Sequence, residues 1–122
     1  KQFVDGPIAP DRHAASFAEL LDALRADLDQ PHTVASMARR AKMSKRTFAR
    51  RFSEVTGTTP HRWLQLERVR LVPDLLETTA LPLESIAQRA GFADAQILRL
   101  HFKRVVGTSP MAYRKTFMAR GA

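Results

Sequence analysis

The chain has 122 residues, no cysteine, and a formal charge of +8 from 20 basic and 12 acidic groups. That length holds one domain or two small ones, and the lack of cysteine excludes disulfides, thiolate metal sites and a cysteine nucleophile, so packed apolar side chains must hold the fold. No apolar run approaches the roughly 18 residues needed to cross a bilayer and no signal peptide is visible, so a cytoplasmic protein that makes no membrane contact is expected.

In chain order, residues 1–15 contain Gly6, Pro7 and Pro10 without periodicity and read as a linker or irregular arm. Ser16 and Glu19 have the spacing of a capping box. Phe17, Leu20, Leu21, Leu24 and Leu28 then follow at helical spacing up to Pro31, predicting an amphipathic helix that covers the first unit. Thr33 caps a short helix with Val34, Met37, Ala38 and Ala41 inward and Arg39 and Arg40 outward. Ser44 caps the next, with Phe48, Phe52 and Val55 inward and Gly57 as its left-handed stop. Thr59-Pro60 opens a linker helix of about 19 residues, spanning about 28 Å. Pro73 inside it lacks the N–H that would reach the Val69 carbonyl, so a bend is expected there.

The rest repeats this grammar. Leu83, Ile86, Ala87 and Ala90 face inward, Gly91 marks the turn, Leu98, Phe102 and Val105 face inward, and Gly107 stops the helix. Ser109-Pro110 opens a last helix with Tyr113 and Phe117 on its buried side. The copies are close in sequence: Ser36–Ala41 recurs as Ser85–Ala90 at an offset of 49 residues, and Phe52–Trp63 recurs as Phe102–Tyr113 at an offset of 50. The pattern predicts an all-α fold of about seven helices. Residues 16–59 form a first helix-turn-helix subdomain, 60–78 the linker helix and 79–122 a second subdomain.

The charge follows this division. Residues 1–32 hold three basic and six acidic groups, whereas residues 33–122 hold 17 basic and six acidic. Such a field suits a polyanion whose counterions are released on binding; a merely solvated basic face is the plain alternative. Between Arg39 and Phe52 lie seven basic residues and no acidic one. Arg46, Ala49 and Arg50 form the outward face of the second helix of the first unit, flanked by Lys45, Thr47 and Arg51. An arginine there can reach two acceptors of a guanine edge, while the flanking cations address phosphates. In the second unit Ala95, Gln96, Arg99 and Leu100 face outward. Gln96 suits adenine, Arg99 guanine, and Ala95 at most a thymine methyl. Two readings of Leu100 stand: a helix that contacts mainly backbone, or a leucine packed on a neighbouring domain. Expected phosphate contacts are Arg39, Lys45, Thr47, Arg51, Arg62, His101, Lys103 and Arg104, with plain exposure the alternative for His61 and His101. The four histidines lack the spacing of a metal site, no serine, histidine and acid arrangement is visible, and Trp63 and Tyr113 read as core anchors. Neither a cofactor nor an enzymatic activity is expected.

Residues 16–118 resemble the AraC/XylS family of bacterial transcription regulators. The resemblance rests on Ile86–Phe92 and Phe102–Arg114 in the second unit and on Met43–Phe52 and Thr58–Trp63 in the first. The first unit is most similar to the branch in which this domain follows a glutamine-amidotransferase-like domain. By position, the family's base-contacting residues fall on Arg46, Ala49 and Arg50, and on Ala95, Gln96, Ile97, Arg99 and Leu100. The resemblance implies sequence-specific binding of double-stranded DNA through two recognition helices in successive major grooves, with RNA polymerase as a partner. It also implies an N-terminal sensor domain, of which a chain beginning at Lys1 would be the downstream piece. Two other classes stay open: the DNA-binding part of a repair enzyme whose active site lies elsewhere, since this chain has no acceptor cysteine, and a basic helical module for RNA or acidic proteins.

Overall fold

The computed structural model describes the backbone of residues 12–121 and the side chains of residues 17–120. Most of the expected arm, residues 1–11, lies outside the described residues. Seven helices follow in order: α1 (Arg12–Arg25), α2 (Val34–Arg40), α3 (Lys45–Thr56), α4 (Pro60–Thr78), α5 (Leu83–Ala90), α6 (Ala95–Val106) and α7 (Pro110–Gly121). No strand occurs among the described residues. The all-α expectation therefore holds. Helix α1 begins at Arg12, so Ser16 lies inside it and is not its N-cap.

The helices form two units: α1 with His32–His61, and Leu28–Pro31 with Arg62 through α7. In the first, the rings of Phe17 and Phe48 stack at 5.4 Å, and Phe52 meets them at 6.0 and 5.5 Å. All three rings are buried, so α1 covers α3 as its apolar spacing predicts. Thr33 caps α2 through a bond from the Ser36 N–H to its Oγ1 (2.9 Å), and Ser36 Oγ accepts the Thr33 N–H in return (3.0 Å). Ser44 Oγ caps α3 by accepting the Thr47 N–H at 3.1 Å.

In the second unit, Val72, Leu76, Ile86, Ala87, Leu98 and Phe102 form the centre of the core. Gly91 closes α5 with φ +94°, and a Cβ there would lie 2.0 Å from the Leu28 carbonyl oxygen, so only glycine fits. Asp94 caps α6 by accepting the Ile97 N–H at 2.9 Å. The cap residues Ser44 and Asp94 are 50 residues apart, whereas Lys42 and Gly91, which close the preceding helices, are 49 apart. The extra residue that shifts the repeat thus sits in the second turn.

Two arginines fasten main-chain segments within this unit. Arg68 donates from Nε to the Leu28 carbonyl and from Nη2 to that of Gln30, both at 3.0 Å, and burial lowers the pKa of its guanidinium. Arg114 donates from Nε to the Leu76 carbonyl in the last turn of α4 (3.1 Å), and from Nη1 and Nη2 to those of Leu81 (2.9 Å) and Thr79 (3.1 Å) in the segment that follows. The α-helical run of α4 continues through Pro73.

Three inward assignments fail. Val55, Val105 and Phe117 are 43, 49 and 38% exposed. The two valines fall on the last turns of α3 and α6 and Phe117 lies far along α7, where no packed element covers them. Trp63 is buried. Tyr113 is half-buried, its ring edge-on to Phe102 at 5.8 Å.

Candidate nucleic-acid interface

Helix α3 starts in the first unit at a capped turn and buries Phe48 and Phe52, which turns the opposite side outward. Lys45, Arg46 and Arg50 are exposed there, with Ala49, Thr47 and Arg51 half-buried beside them. Arg39 and Arg40, on the last turn of α2, are also exposed. Arg50 lies 3.5 Å from the Glu54 carboxylate and Arg51 3.9 Å from its other oxygen. Glu54 lies just past the acid-free run, and the sequence reading did not single out this pair. Exposed pairs of this kind are worth about 1 kcal/mol or less, so they hold Arg50 loosely against a better anion.

Helix α6 places its residues differently from the sequence expectation in two respects. Ala95 is only 5% exposed: as the first residue of α6 it sits against the second core, its N–H donated to a Glu84 carboxylate oxygen at 3.3 Å. Its methyl is not available to a base. His101 is half-buried, stacked on Phe92 at 5.9 Å with its Nε2 3.2 Å from the Gln65 amide nitrogen, so that nitrogen is engaged within the unit. The structure leaves Gln96, Ile97, Arg99, Leu100, Lys103 and Arg104 exposed on α6, and Arg62 exposed on α4. Asp94, which anchors this helix, was legible as the counterpart of Ser44.

Among the described residues no group of three His, Asp or Glu side chains is placed to hold a metal ion, and no helix is long and apolar enough to cross a membrane. What remains is the same device built twice: a short helix, a turn with left-handed backbone, and a capped second helix whose outer side carries cations. That makes the class a double helix-turn-helix domain.

Residues 37–116 match the helix-turn-helix domain family, and the chain belongs to that family. Within it, the chain is of the AraC type found in transcription regulators. It is 38% identical over 110 residues to the HTH-type transcriptional regulator Rv1931c of Mycobacterium tuberculosis, with 80% of this chain and 42% of that protein covered. It is 36% identical over 95 residues to the HTH-type transcriptional regulator AlkR of Acinetobacter baylyi, with 78% of this chain and 31% of that protein covered. The chain thus spans less than half the length of these relatives. Among solved structures, the DNA-binding domain of the global transcriptional factor AdpA, in complex with a target DNA, superposes with a TM-score of 0.83 at 41% identity, covering 86% of this chain and 95% of that one.

Proposed function

We propose that this chain binds double-stranded DNA sequence-specifically as the DNA-binding part of a transcription regulator, with α3 and α6 each entering a major groove. The observation that carries this reading is the exposed outer side of both helices, where groups able to meet base edges stand among cations. Arg46 and Arg50 read guanine edges from α3, beside Ala49. Gln96, Ile97 and Arg99 meet bases from α6. Arg39, Lys45, Thr47, Arg51, Arg62, Lys103 and Arg104 neutralise or hydrogen-bond phosphates and set the register. The similarity to a domain solved with its target DNA supports the same reading. In this reading RNA polymerase and an N-terminal sensor domain are the partners, and the first unit's sequence supports membership of the branch whose sensor is amidotransferase-like.

The test is a binding titration against duplex DNA at several salt concentrations. Log affinity should fall linearly with log salt, by about 0.9 for each phosphate neutralised. A nearly flat dependence overturns the reading. So does an RNA competitor that displaces the duplex at equal concentration.

A further inference from the structure

Leu100 stands opposite the buried seam of α6. At 100° per residue, Ala95, Leu98 and Phe102 line one side of this helix and Leu100 points the other way, 52% exposed. Beside it Ile97 is 39% exposed. An isolated exposed leucine is ordinary, but this one lies in a shallow depression shared with the cationic residues Arg99, Lys103 and Arg104. A partner for that surface must bring negative charge on its flanks and an apolar group at its centre. The first unit has no such feature: at the offset of 50, Arg50 occupies the place of Leu100 and Thr47 that of Ile97.

Resting on the DNA-binding reading above, we propose that Leu100, supported by Ile97, is a specificity-determining residue that selects thymine through its C5 methyl group. Among the four bases only thymine offers an apolar group in the major groove, and phosphates on either side of the groove suit Lys103 and Arg104. The two recognition helices then read by different chemistry. Helix α3 reads guanine acceptors through arginine, and α6 adds methyl recognition through leucine and isoleucine to the base contacts of Gln96 and Arg99.

The experiment uses the whole chain and duplex sites it enriches from a random pool. Each thymine in the enriched site is replaced in turn by deoxyuridine, which pairs identically and lacks only the methyl, and affinity is measured for the wild type, Leu100→Ala and Leu100→Met. At one or two thymines the wild type should lose about four-fold, the effect of uncovering one methyl-sized apolar group. Leu100→Met should keep that penalty, and Leu100→Ala should lose it. Circular dichroism of each variant confirms the fold. Deoxyuridine without effect anywhere, or a penalty unchanged in Leu100→Ala, overturns the proposal while leaving sequence-specific binding intact. If no site is enriched at all, the DNA-binding reading itself has failed.

Discussion

Lys42 and Gly91 occupy corresponding places in the repeat, two residues past the end of α2 and one past the end of α5, and both have left-handed backbone, with φ +59° and +94°. The turn demands that conformation in each copy. In the second unit the Leu28 carbonyl oxygen stands where a Cβ would project; the first unit carries a lysine side chain at the corresponding position. Left-handed backbone costs a residue with a Cβ about 1–2 kcal/mol. Lys42→Gly should therefore stabilise the protein, by about 0.5–1 kcal/mol after allowing for glycine's freer unfolded chain. A urea midpoint that stays put or falls would contradict the equivalence of the two turns.

Gly91→Ala should be far more damaging than the same change at Gly57 or Gly107. All three have positive φ, but a Cβ at Gly57 or Gly107 meets nothing within 4 Å, whereas one at Gly91 collides with backbone. Gly57→Ala and Gly107→Ala should cost about 1–2 kcal/mol of backbone strain. Gly91→Ala adds a steric clash to that cost. Thermal melts of the three variants should place Gly91→Ala well below the other two; equal melting temperatures would show that segment 28–31 moves aside freely.

Tyr113 donates its phenolic hydrogen to the Glu77 carboxylate. That bond, then burial, then the carboxylate's charge all favour the neutral phenol, so its pKa is raised above the ordinary 10.0. The linkage has a definite sign. Stability from this contact is fully present below the ordinary tyrosine pKa and is lost as pH rises through the raised one. Tyr113 is the chain's one tyrosine, so phenolate absorbance reports it alone. The folded protein should titrate above 10, and Glu77→Gln should bring the midpoint down toward that value. A wild-type midpoint at or below 10 would exclude the bond in solution.

Arg46→Ala and Arg50→Ala should each cost about 1–3 kcal/mol of discrimination at particular base pairs, whereas Arg39→Ala should weaken specific and random DNA by the same factor. Glu54→Gln weakens the exposed pair with Arg50 and removes a negative charge, so affinity for DNA should rise. Competition assays with single-base site variants separate these outcomes. A uniform loss for Arg46→Ala would make it a phosphate contact.

Much of the fold was legible because the repeat fixes register. Phe48 and Phe52 match Leu98 and Phe102, and the stops at Gly57 and Gly107 recur at the same offset, so helix ends and core faces confirm one another across the copies. Exposure at the ends of the apolar faces was not legible. The spacing that puts Val55 and Val105 on the inner side of their helices says nothing of whether another element reaches that far. Ala95 and His101 were misplaced for a related reason: each borders the core side of α6, and only the positions of Glu84, Phe92 and Gln65 show which way it turns. The contacts of Arg68 and Arg114 were invisible because their acceptors are main-chain oxygens 33–40 residues away, which carry no side-chain signature.

Arg68 and Arg114 close on neutral carbonyls, with no carboxylate among those contacts. Dissolved ions weaken attraction between exposed charges strongly and short, partly buried hydrogen bonds much less. Folding and polyanion binding therefore answer to ionic strength separately. A concentrated chloride wash should strip this domain from an anionic column as an intact, immediately reusable protein, with no refolding step between release and the next cycle of capture.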